Sequence, residues 1–109
     1  METVTYADFA KLDIRTAKVL SCEKIGGTDK LLKLFVKIGS EERTIVAGIG
    51  KSYSEEELVG KTIIVIVNLE TRKLKGVESQ GMLLAAGDDV NTLNLLTIDK
   101  NAEDGIKIG

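Results

Sequence analysis

From Leu31 to Ile38 the chain alternates without a break, placing Leu32, Leu34, Val36 and Ile38 on one side and Leu31, Lys33, Phe35 and Lys37 on the other. A period of two demands an extended strand with one buried face and excludes a helix over the same residues. The neighbouring apolar runs are short, rich in β-branched residues and separated by turn signals. Ile14–Glu23 reads as a strand of mixed spacing that ends before Gly26-Gly27, and Arg43–Ala47 as another, closed by Gly48-Ile49-Gly50. Ile63–Val67 is five β-branched residues in a row, the pattern of a strand buried on both faces. Met82–Ala86, Leu93–Ile98 and the Ile106-Lys107-Ile108 alternation predict further strands.

Two capping patterns predict short helices. Thr5 followed by Asp8 starts a helix over Tyr6–Leu12 with Phe9 and Leu12 facing inward, and the Ser54/Glu57 capping box starts one over Glu55–Val59 that Gly60 ends. Five or more short strands with a helix between the third and fourth suit a mainly all-β fold, a five-stranded oligonucleotide-binding barrel with short helices and a C-terminal strand extension. At 109 residues the chain is expected to make one domain over 1–109, with the barrel at about 13–98 and the extension at about 93–109.

The residues that are absent limit the chemistry. With no His and one Cys, the chain cannot assemble a Ser/His/Asp triad, a Cys/His pair or a zinc site. Asp88-Asp89 and Glu55-Glu56-Glu57 read as solvated faces, and neither phosphate-cradling glycine motif occurs. No catalytic residue, metal or cofactor is expected. No apolar run approaches the roughly 18–20 residues that cross a bilayer, no signal peptide is visible at METVTYADF, and Cys22 has no internal disulfide partner. A cytoplasmic setting with no membrane partner is the expectation, with Cys22 a small core residue.

Asn68–Ala86, NLETRKLKGVESQGMLLAA, carries the densest polar signal. Arg72, Lys73 and Lys75 offer cations to a polyanion; Asn68, Ser79 and Gln80 offer directional hydrogen bonds of the kind used on sugars and base edges. The same residues could equally form a lysine-rich solvated loop. Net charge is −2, yet Lys61–Lys75 holds four bases against one acid (+3) and Gly76–Gly109 six acids against two lysines (−4). One basic patch on an acidic molecule can orient a polyanion onto one face. Phe35 between Lys33 and Lys37 has the composition of a base-stacking platform; the pattern alone favours Phe35 packing under a neighbouring loop.

Five blocks give a resemblance: Asp13–Val19, Asp29–Leu34, Ile45–Ile49, Glu56–Lys61 and Asn68–Met82. In order, over about Asp8–Ala86, they resemble the tRNA-binding domain appended to methionyl-tRNA synthetases. The same module occurs in free-standing dimeric tRNA-binding proteins and in the endothelial monocyte-activating polypeptide group. A short chain of this kind resembles most the β subunit of an archaeal-type synthetase.

The resemblance implies a non-catalytic oligonucleotide-binding fold that recognises tRNA by shape, forms a homodimer through the region after the barrel, and has a methionyl-tRNA synthetase catalytic chain as a possible partner. Carried over residue by residue, it implies an RNA-contacting set of Lys33, Asn68, Arg72, Lys73, Lys75, Ser79, Gln80 and Met82. This chain departs from the family's pattern with Thr71 where proline commonly precedes the arginine, and with Ala17 where glycine is frequent. The alternative is a protein-interaction module like the secretion-chaperone group, which shares the Leu12–Thr16 segment and an ending like Lys107-Ile-Gly109 but differs in the middle.

Overall fold

The computed structural model describes residues Met1–Gly109. The Leu32–Ile38 alternation (β2) is realised as read: Leu32, Leu34, Val36 and Ile38 are buried and the alternate positions are not. β2 pairs antiparallel with β1 (Ile14–Lys24) and β3 (Glu41–Ala47), and β1 pairs with β4 (Thr62–Ile66). A register shift between Val19 and Ser21 turns Leu20 outward and bends β1, so that its first half serves β4 and its second half β2. A short strand β7 (Met82–Leu83) extends the sheet to the order β3-β2-β1-β4-β7. The result is a strongly curled antiparallel half-barrel of the oligonucleotide-binding type.

The five β-branched residues divide between two cores. Ile63 and Val65 join Ala17, Val19, Leu34, Val36 and Ile45 inside the barrel, while Ile64 and Ile66 pack outside with Ile14, Leu12, Leu84, Ile98 and Ile108. Helix α2 (Glu55–Leu58) lies between β3 and β4 and carries the full Ser54/Glu57 capping box; its Leu58 plugs the inner core. No helix is long and apolar enough to cross a membrane.

Several elements differ from the sequence expectations. Helix α1 (Tyr6–Ala10) ends before Leu12 and buries none of its residues. Phe9 is therefore not an inward anchor; it is 40% exposed and leans on the Tyr6 ring. Met82–Ala86 splits: Leu84 N still donates to Ile64 O of β4 while its carbonyl accepts from Leu96 N, and Ala85–Ala86 (β8) then pairs with Asn94–Leu95 (β9). The strand expected over Leu93–Ile98 shrinks to β9, and the last strand is Lys107–Ile108 (β10), paired to Ile14 and Arg15. Thr16, 1% exposed, fastens this terminal segment: its N–H donates to Ile106 O, its carbonyl accepts from Gly105 N, and its hydroxyl donates to Glu103 O and accepts from Ile106 N.

Candidate nucleic-acid interface

The basic segment is a β-hairpin. Arg72–Leu74 (β5) pairs with Val77–Ser79 (β6) across a two-residue turn, and both turn residues have positive φ, +51° at Lys75 and +79° at Gly76. Two left-handed residues give the type I′ turn, whose twist matches that of the flanking strands. Lysine is an unusual occupant of the first position, so the tip holds a cation at some conformational cost. The molecule has six side-chain ion pairs and none involves Arg72, Lys73 or Lys75. Glu78 stands opposite Lys73 in the register without pairing to it. The hairpin thus presents three uncompensated cations, all exposed.

Side chains take the place of a ladder where this hairpin meets the barrel. The free edge of β3 would leave the amides of Thr44 and Val46 unpaired; Thr44 N donates to Gln80 Oε1 (3.0 Å) and Val46 N to Ser79 Oγ (2.9 Å). Gln80 N returns a bond to Thr44 O (2.8 Å), and Ser79 Oγ donates to Gly81 O (3.0 Å). Gly81 follows with φ +143°, where an added Cβ would lie 2.9 Å from Ile45 Cδ1 and from Ile66 O. Arg43 on β3 adds a further link, donating from Nη1 to Val67 O (2.5 Å) and Gln80 O (3.3 Å) while its Nε pairs with Glu41 (3.0 Å). The sequence reading did not single out Arg43; a lone arginine in a strand otherwise rich in β-branched residues is the signal that could have marked it.

The residues expected to touch RNA separate into groups. Lys33 and Gln80 line one shallow cleft together with Thr44, Gly76 and Glu78. Arg72, Ser79 and Met82 line a narrower one on the other flank, beside Leu69 and Leu74. Lys33 Nζ lies 5.0 Å from the centre of the Phe35 ring and 3.6 Å from Glu23, whereas Lys37 turns away to Asp104, so the ring has a cation on one side and not on both. Met82 is 42% exposed. Ser79, 4% exposed, has its hydroxyl engaged on both sides. Asn68 lies apart: its Oδ1 accepts from Asp13 N (2.8 Å) and its Nδ2 donates to Lys11 O (2.6 Å), fastening the end of β4 to the entry of β1.

Remote from this face, Asp104 accepts from Gly39 N (2.6 Å) and from Lys37 Nζ (3.1 Å). Burial alone would raise its pKa, but these bonds outweigh it and hold the carboxyl below its usual range. The Cys22 thiol, half-buried, is pushed up to about 11 by desolvation and then by the charges of Glu55, Glu23 and Glu56, so it stays protonated at neutral pH. No cluster of His, Cys, Asp and Glu side chains is arranged to hold a metal ion.

Comparison with known proteins places this geometry. The chain is 53% identical over 108 residues to a methionine–tRNA ligase of Caldanaerobacter subterraneus subsp. tengcongensis, and 52% identical over 105 residues to that of Thermotoga maritima. These matches cover 99% and 96% of the chain but 17% and 16% of the ligases, so it spans about one sixth of their length. Among solved structures, a MetRS-related protein from Pyrococcus horikoshii superposes with a TM-score of 0.92 at 40% identity, covering 100% of both chains. The chaperone CsaA from Bacillus anthracis superposes with a TM-score of 0.90 at 25% identity, covering 99% of this chain and 100% of its own. The family described as "Putative tRNA binding domain" matches residues 14–107, and the chain belongs to it.

Proposed function

We propose that this domain captures tRNA by shape and assists a methionyl-tRNA synthetase, as a β-subunit-like accessory. The observation that carries the reading is the hairpin of Arg72, Lys73 and Lys75, cations without carboxylate partners on an otherwise acidic chain. A-form RNA hides its major-groove edges, so a reader of folded tRNA works on phosphates, 2′-hydroxyls and the bend of the molecule. In this proposal Arg72, Lys73 and Lys75 hold phosphates, and Lys33 and Gln80 serve the same strand from their cleft. Met82 meets an unstacked base. Ser79 and Asn68, whose polar atoms already hold internal bonds, reach RNA only by sharing them.

The proposal includes a homodimer in a cytoplasmic setting, with the barrel at about residues 13–98 and the segment after 93 in the contact. β10 is paired on one side only, with β1, and in this proposal the second copy meets the exposed apolar residues Leu96 and Ile106 nearby in the same segment. Sedimentation at micromolar concentration giving a monomer removes the dimer.

The similarity to CsaA supports a second reading, a protein-interaction module on the same fold. Fluorescence anisotropy of labelled tRNA across a salt series separates the two, with an RNA duplex and a single strand of equal length as competitors. Salt-sensitive binding displaced only by folded tRNA is the expected result. Replacing Arg72, Lys73 and Lys75 together with alanine should abolish most of the affinity and flatten the slope of log K against log salt by about 2–3, at roughly 0.7–0.9 for each phosphate no longer neutralised. An unchanged slope in that variant removes the assignment, and equal displacement by all three RNAs favours the interaction module.

A further inference from the structure

We infer that Arg43 is a positioning residue for RNA binding: its guanidinium clamps both ends of the basic hairpin's loop to β3 and sets the direction in which the hairpin points. The inference rests on the tRNA-binding reading above and deepens it. Residues 67 and 80 are the two points where the hairpin loop leaves and rejoins the barrel. Arg43 Nη1 donates to the carbonyls of both, Val67 at 2.5 Å and Gln80 at 3.3 Å. Glu41 fixes the plane of the guanidinium through Nε at 3.0 Å, and the Arg43 side chain is only 25% exposed. It is thus turned toward the loop's neck and largely withdrawn from the surface that would meet a phosphate. The bonds of Ser79 and Gln80 to the amides of Val46 and Thr44 hold the returning strand to β3, and those of Val67 and Asn68 to Asp13 and Lys11 hold the outgoing one to the entry of β1. Beyond the β4–β7 pairing, which ends at Ile66 and Met82, Arg43 is the side chain bonded to both strands.

A planar fork can bond two carbonyls while a third N–H is held by a carboxylate; a lysine ammonium carries the charge but lacks that fixed geometry. With the clamp gone, the hairpin keeps its three cations but must be ordered at the moment of binding, which lowers affinity without changing how many phosphates are finally neutralised. A phosphate-contacting arginine behaves oppositely: lysine would substitute for it, and its neutral variant would lower the salt slope.

The test compares Arg43→Lys, Arg43→Gln and Glu41→Gln with the intact sequence, by tRNA anisotropy over a salt series and by amide hydrogen exchange. The expected result is a loss of roughly tenfold in affinity for both Arg43 variants, the scale of one to two net hydrogen bonds, with the salt slope unchanged. Glu41→Gln should lose less. Exchange should quicken at Gln80 and through residues 72–79 while the β1 and β2 amides keep their protection, a local signature that general destabilisation does not produce. Should Arg43→Gln fail to fold, Arg43→Lys and Glu41→Gln carry the same comparison. Arg43→Lys binding like the intact protein, or a lowered slope in Arg43→Gln alone, overturns the inference. Absence of tRNA binding by the intact protein overturns the tRNA-binding reading itself, and with it this role.

Discussion

Asp104 and Gly81 show how much of this structure rests on single side chains, or on the lack of one. Asp104 accepts from Gly39 N and from Lys37, and its folded pKa is depressed below the ordinary carboxylate value near 3.8. A depressed pKa contributes stability that is present above the unfolded value and disappears as pH falls through the folded one. Asp104→Asn should therefore lower the melting temperature at neutral pH by about 4–8 °C and remove part of the acid-side decline below about pH 4. Melting curves from pH 2 to 7 check this, and parallel profiles for the two proteins would contradict it. Gly81 has no room for a side chain: φ is +143° and the Cβ site collides with Ile45 and Ile66. Gly81→Ala should cost about 2–4 kcal/mol in urea unfolding, from backbone strain and overpacking together.

At the scale of elements, what the sequence reveals depends on whether a pattern or a partner decides the conformation. β2 was legible because burial of its alternate residues is a property of the strand itself, and α2 because Ser54 and Glu57 cap it locally. The β5–β6 hairpin was not, since Arg-Lys-Leu and Val-Glu-Ser are short and polar and its turn is Lys-Gly rather than the familiar Asn-Gly. The closure of β3 was equally hidden: no spacing announces that a serine hydroxyl and a glutamine amide will take over ladder bonds. Phe9 departs from its expected inward position because amphipathic spacing implies a surface to cover, and α1 buries none of its residues. Of the site residues, the cations were visible by composition, whereas the internal bonds of Asn68 and Ser79 depend on backbone groups distant in sequence. Lys75 at φ +51° supplies a prediction here. Lys75→Asn should raise the melting temperature by a few degrees, about 0.5–1 kcal/mol, because asparagine tolerates the left-handed region. It should also weaken tRNA binding and reduce the salt slope by about one phosphate's share. A variant less stable than the parent would show that the turn carries no strain.

For the whole molecule, Thr16 joins what lies furthest apart in the chain. Its backbone and hydroxyl make four bonds to residues 103–106, and these seat β10 beside the start of β1. Thr16→Val keeps the volume but leaves Glu103 O and Ile106 N without partners, which should cost about 1–3 kcal/mol. Limited proteolysis should then cut within residues 99–109 before the barrel unfolds; cutting at the parent's rate would show the seam to be held elsewhere. The charge of the molecule is arranged on the same scale. A chain of net charge −2 with an unpaired basic hairpin resists loose adhesion to polyanions while still orienting one on approach.

The side-chain anchors of the hairpin lie at its neck, in Arg43, Asn68, Ser79 and Gln80, next to the point where β4 and β7 pair. The stretch between Leu69 and Glu78 is thereby a cassette. Its composition can be rewritten while the paired strands β1, β2 and β4 stay the same, which makes this loop a natural graft point for engineered specificity.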